Sequence, residues 1–327
     1  MENKKNKRNT NIEILRFILM LVIFGWHLLV HGYELKNIDG CHIIVDNMQL
    51  ILLTIFSPAT YCFMFISGYY GIKYSNKKFI QIIFMCYFAV IVSSIIKELI
   101  GLPVNRWELF FPITRGGLWF VRVYILIMII SPIINFGLEK ITKTQLRFIV
   151  LIMLYFLCAS LLQLKVNNGS NMFGLLTVYL LGRYMNIHKV GFSLKKSIFF
   201  YLVSSIALIA ILWFVNILKS NKVFVLLSYC NPLIIIMAVS LFFIFYKLKP
   251  LYCNQINKFL SPLLMIYLVT EFLGERFYYM ITSTDSSIKM IIVVLIVSLL
   301  CIFFGHVTNF IFDKLYKGLC KEKTDKI

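Results

Sequence analysis

Charge is scarce in this sequence. Asp, Glu, Lys and Arg supply 14% of its 327 residues against 60% hydrophobic content, and mean hydropathy is +0.84, which excludes an ordinary soluble domain. Acidic residues are the scarcest, 14 against 33 Lys and Arg, for a formal net charge of +19. That excess does not make a nucleic-acid binder, because the basic residues fall in short clusters between apolar runs and not along one solvated stripe. C-x-x-C pairs are missing. The eight cysteines (Cys41, Cys62, Cys86, Cys158, Cys230, Cys253, Cys301 and Cys320) are scattered, most of them inside apolar runs. They read as small buried hydrophobes, and neither a metal site nor a disulfide framework is expected. No small-residue cleavage site follows the first apolar stretch, so a removable signal peptide is not expected. No internal repeat is apparent, and no appended soluble catalytic domain is expected.

What is present is a series of apolar runs near the length of about 20 residues that a spanning helix needs. Ten emerge, near 12–32, 48–72, 79–101, 118–138, 145–164, 172–188, 197–217, 223–246, 259–281 and 288–312. If the amino terminus is cytoplasmic, 22 basic residues fall on the inner side and nine on the outer, with Arg16 and Arg122 inside the membrane. This excess predicts both termini inside and an even number of spans. The expected fold is therefore all-α: a polytopic transmembrane helix bundle of about ten spans, a single domain over 1–327 with short basic tails at 1–11 and 313–327. The longest outer segment, 102–117 (LPVNRWELFFPITRGG), reads either as an interfacial lid or as an aromatic anchor at headgroup level.

The first run, EILRFILMLVIFGWHLLVHGY, carries Glu13, Arg16, His27 and His31. Residues 11 apart on a helix differ by about 20° in angle and about 16 Å in height, so Arg16 and His27 share a face, and Glu13, Met20 and His31 lie near it. Ionisable groups facing lipid cost roughly a few kcal/mol each, so this stripe must face a bundle interior or a watery cavity. Glu13 and Arg16 are spaced to pair. His31 lies near the outer headgroups, whereas His27 is too deep to reach them and needs a partner, structural or functional. Arg122 in LWFVRVYI and Glu271 in MIYLVTEFLGER each sit inside a span and could complement each other. Trp119 beside Arg122 offers an aromatic wall or a belt residue. Lys73, Lys77 and Lys78 cluster after the second run, in FISGYYGIKYSNKKFIQI.

Together these segments resemble acyltransferase family 3, notably its bacterial branch that O-acetylates surface polysaccharides. The likeness lies in N-x-x-IEILRFILML…H from Asn9 to His27, FMFISGYYGIKYSNKK from Phe63, and LWFVRVYILIMIISPIIN from Leu118. It continues in VYLLGRYMN from Val178, SYCNPL from Ser228 and IYLVTEF from Ile266, in order over nearly the whole chain. Two departures stand out. Gln81 occupies the place where the basic patch of relatives continues, and Thr270 precedes Glu271 where many relatives carry a His.

The resemblance implies a multi-pass cell-membrane enzyme that moves an acyl group from a cytoplasmic thioester, usually acetyl-CoA, to an acceptor hydroxyl near the outer face. Acyl-CoA would be a co-substrate with no permanently bound cofactor. The other partners would be a surface glycan or lipid-linked oligosaccharide and membrane lipids, without nucleic acid. The family's Arg and His of the first helix fall on Arg16 and His27, and its basic patch falls on Lys77 and Lys78 with Lys73 nearby. Arg16, Lys73, Lys77 and Lys78 could then hold the CoA phosphates. His27, with Glu13 as the second catalytic candidate, lies deeper by about the reach of a pantetheine arm, along a passage shared with Arg16. It could activate the acceptor directly or be acylated first. Trp119, Arg122 and Glu271 would form the acceptor or oxyanion pocket. A transporter or flippase is the rival reading, since intramembrane Arg, Glu and His also mark substrate paths. Inverted repeats or paired broken helices, its usual signs, are not apparent.

Overall fold

The computed structural model describes residues 8–33, 46–162, 169–218, 222–283 and 287–324. It is 83% helical with no strand among them. The outermost parts of both basic tails and Cys41 lie outside the described residues, as do Lys36, Lys165 and Lys219.

Local signals set the helix starts. Asn9 opens α1 (Thr10–His27) by accepting from the Asn11 N–H, and α1 runs on into a π-helical turn, Leu28–Gly32. Asp46 forms a capping box with Gln49 at the start of α2 (Asn47–Phe56), which passes through Ser57 and Pro58 into α3 (Ala59–Tyr70). Then come α4 (Asn76–Leu99), the short turns α5 (Arg106–Phe110) and α6 (Pro112–Arg115), and α7 (Trp119–Lys140). Thr142 and Gln145 box the start of α8 (Lys143–Ala159), and Asn171 caps α9 (Met172–Ile187). Next are α10 (Leu194–Ile217), the single turn α11 (Val223–Leu226), and α12 (Pro232–Lys247), where Asn231 caps and Pro232 takes the first position. The last elements are α13 (Asn254–Phe259), α14 (Leu264–Thr282) and α15 (Ser287–Thr324).

Among the described residues, eight segments are long and apolar enough to cross a membrane. The remaining two of the ten expected runs appear as the 16-residue helices α9 and α12. The run 223–246, expected as one helix, is broken between Leu226 and Pro232, and 48–72 turns at Ser57 and Pro58. The run 48–72 still forms one candidate span, Asn47–Tyr70, and only 223–246 departs from expectation; proline accounts for both irregularities, since it lacks an N–H and crowds the preceding turn.

Burial separates the bundle into a centre and a rim. Of the most apolar 18-residue stretch in each segment, 72% is buried in α2–α3 and 61% in Asn254–Thr282, against 17% in Lys143–Leu162 and 22% in Leu194–Ile217. The rim helices turn Phe148, Tyr155, Phe199, Ile206 and Phe214 outward, as helices facing acyl chains do. α1 lies inside, packed on α2, α3, α12, α13, α14 and α15, which puts its ionisable stripe against protein. The chain is thus a multi-pass membrane protein by the length, composition and burial of its helices.

Candidate active site

α1 and α14 run side by side in the same direction, and two matched spacings of four residues meet between them. His27 Nδ1 lies 3.4 Å from Glu271 Oε2, and one turn further His31 Nδ1 lies 3.1 Å from Glu275 Oε1. The inner pair is enclosed, with both side chains 17% exposed, and Glu275 at the outer pair is 77% exposed. Tyr278 packs against both imidazoles, at 5.7 Å from His27 and 6.0 Å from His31 between ring centroids.

Irregular backbone concentrates at this level. The π turn follows His27 directly, and Gly274 (φ 75°, ψ −173°) interrupts α14 between the two glutamates. The Ser57–Pro58 turn and the break before Pro232 face the same space, since Ser57 and Ser228 line it. Non-helical backbone at membrane depth persists where it lines a cavity. The cavity here is about 260 Å³, walled by Trp26, Phe56, Trp119, Tyr229 and Tyr267, with His27, His31 and Glu271 among its lining. Tyr229 is fixed by an Oη donation to Thr60 Oγ1 at 2.9 Å and by stacking on Tyr61. Gly117, just before α7, makes room for the carboxylate: a Cβ there would stand 2.5 Å from Glu271 Oε1.

The other candidates fall in separate places. Trp119 and Glu271 line the cavity, but Arg122 does not; its Nη1 donates to the Thr114 carbonyl at 3.2 Å. The expected Arg122–Glu271 complement is therefore replaced by His27–Glu271, because Arg122 points toward the outer loop. Arg16 pairs with Glu13 at 3.5 Å and sits 5.4 Å above the Phe63 ring. Phe63 and Met20 line the cavity, and Arg16 does not. Phe63 thus touches both the cavity and the Arg16 guanidinium. Lys73 and Lys78 are exposed. Lys77 meets Asp313 of α15 at 2.6 Å, with its ammonium 5.6 Å from the Tyr316 ring. Gln81, one turn on, donates to Asn309 of the same helix at 2.7 Å, and Thr270 donates within α14 to the Ile266 carbonyl.

The comparison with family models decides the affiliation: an acyltransferase domain matches residues 9–256, about three quarters of the chain. The chain belongs to acyltransferase family 3. No curated protein and no solved structure matches it. His27 and Arg16 lie within the matched stretch, and Glu271 lies beyond it. The protein is accordingly a membrane acyltransferase whose enclosed cavity holds a His–carboxylate pair.

Sequence reasoning missed Tyr278, Glu275 and the tyrosine wall. A signal existed for two of them: Glu271, Glu275 and Tyr278 follow i, i+4, i+7 spacing, which places polar groups on one face of an apolar helix.

Proposed function

We propose that this acyltransferase transfers an acetyl or similar acyl group from cytoplasmic acyl-CoA to a hydroxyl of a cell-surface polysaccharide or its lipid-linked precursor, in a bacterial plasma membrane. One observation carries the reading: an imidazole held by a carboxylate in the lining of an aromatic-walled cavity. A sugar hydroxyl is a poor nucleophile until its proton is withdrawn during attack, and neutral imidazole performs that task near pH 7. With Nδ1 facing Glu271, Nε2 is left for the acceptor, and the carboxylate orients the ring and balances the imidazolium that forms. The acceptor oxygen attacks the thioester carbonyl, the C–S bond breaks, and His27 returns its proton to the departing CoA thiolate. Trp26, Trp119 and Tyr229 suit the C–H faces of a pyranose ring.

The donor would enter from the end bearing Arg16, Lys73 and Lys78, whose charges suit the CoA phosphates. Lys77 would share that role with its contact to Asp313. Phe63, which lines the cavity and lies beneath the Arg16 guanidinium, would border the path of the pantetheine arm. Glu13 is assigned to holding Arg16 and not to proton transfer, since it pairs with Arg16 about four helical turns from His27 along α1.

The test is to supply acetyl-CoA labelled in the acetyl group to membranes containing the protein. Label entering ester-linked glycan, and its loss from the same glycan after gene deletion, is the expected result. Acceptor movement across the membrane without label transfer would overturn it.

A further inference from the structure

Arg183 belongs to no site described so far, yet its setting lacks a counter-charge. It projects from the last turns of α9 toward the left-handed end of α3, where Gly71 has φ 77° and a Cβ would lie 2.6 Å from Arg183 Nη1. Glycine at 71 therefore leaves space that the guanidinium occupies. Its Nε is buried without a hydrogen-bond partner, and no carboxylate pairs with Arg183 among the described residues.

A second orphaned atom lies in the same region. Asn135 of α7 donates through Nδ2 to the Ile72 carbonyl at 3.0 Å, which leaves its Oδ1 as the free acceptor, and that oxygen is buried and unpartnered. Tyr179 ties the region together: its Oη accepts from the Ile72 N–H at 3.2 Å, and it lies within electrostatic reach of Arg183. Tyr124 lies within such reach of both Tyr179 and Arg16. Buried polar atoms are nearly always satisfied, so the unpartnered Arg183 Nε and Asn135 Oδ1, which flank the Gly71–Ile72 loop, point to a missing ligand. The ligand must offer an anion to arginine and an N–H or O–H to Asn135. A phosphate ester that also carries hydroxyl or amide donors meets both demands, and guanidinium is well shaped for phosphate.

We propose that Arg183 and Asn135, with the Gly71–Ile72 loop between them, bind the phosphate and neighbouring polar arm of the acyl donor. This rests on the acyl-CoA reading above. An anionic lipid headgroup shares the phosphate chemistry and is the alternative source.

Full-length protein in neutral phosphatidylcholine nanodiscs is titrated with CoA, and the same measurement is made for R183A, R183K and H27A. Charge-assisted contacts of this kind predict that CoA affinity falls about tenfold or more in R183A and less in R183K, with H27A close to wild type. In turnover, R183K should raise KM for acetyl-CoA with kcat nearly retained. The unliganded melting temperature reports folding, and R183K, which keeps the charge, carries the test if R183A fails to fold. Variants that bind CoA within twofold of wild type would overturn the site while leaving the donor reading intact. Failure of the wild type itself to bind CoA would overturn both. If stabilisation by phosphatidylglycerol nanodiscs depends on Arg183 and CoA binding does not, the phosphate belongs to lipid and the donor assignment falls.

Discussion

The two ends of α1 present ionisable groups on the same helix and meet opposite company. Toward the π turn, each imidazole has its own carboxylate on α14, His27 with Glu271 and His31 with Glu275. Toward the amino terminus, Arg16 has Glu13 at a long 3.5 Å, and Arg183 of α9 has no carboxylate among the described residues. A site whose charges are already matched suits a neutral reactant that must lose a proton. A site with surplus guanidinium suits an anion that arrives with the substrate.

The largest test of this division is His27→Ala. General bases contribute roughly 10²- to 10⁴-fold, so acyl transfer should fall by about that factor, with CoA binding unchanged. Transfer assays alongside CoA titration check it, and activity near wild type would remove His27 from the chemistry. Glu271→Gln comes next. The amide keeps the volume beside Gly117 but cannot balance an imidazolium, so kcat should drop by about 10- to 100-fold with KM for acetyl-CoA little changed. A change confined to KM would move Glu271 from proton handling to donor binding.

How much of this was legible beforehand depends on what each feature needs. Apolar runs report membrane burial directly, so the all-helical bundle and the approximate limits of its helices could be read from the sequence. The value of His27 as an intramembrane imidazole was equally visible, because such a residue is expensive wherever no partner meets it. Its partner was not: His27 and Glu271 are 244 positions apart, and only the parallel packing of α1 on α14 brings their turns into register. Arg122 looked like the natural complement for Glu271 by sign alone, and helix rotation sends it to the Thr114 carbonyl instead. The cavity was hidden for a related reason. It arises from helix breaks at Pro58, Pro232 and Gly274 and from the π turn, each a modest local signal, aligned at one level by the fold.

At the amino-terminal end the expected effects are smaller. Arg16→Ala should raise KM for acetyl-CoA by about tenfold while kcat changes less, since a single charge-assisted contact contributes roughly 1.5 to 3 kcal/mol. It also frees Glu13, so Arg16→Lys serves as the control that keeps the charge and loses the guanidinium fork. An Arg16→Ala enzyme with normal KM and reduced kcat would place Arg16 with His27 and erase the distinction between the ends.

Lys77 gives the finest cut. Its ammonium already meets Asp313 at 2.6 Å, and both side chains are nearly half exposed, where such a pair contributes about 0 to 1 kcal/mol to stability. Lys77→Ala should therefore lower the melting temperature only slightly and raise KM for acetyl-CoA by about twofold at most. Asp313→Asn separates the two roles. If Asp313 holds Lys77 away from the donor, releasing it should lower KM, and raised salt should erase the gain because exposed charges are screened within about 10 Å at 0.1 M ionic strength. If KM instead rises in Asp313→Asn, the clamp between α4 and α15 positions the basic patch, and the surplus charge at this end is held in place by carboxylate after all.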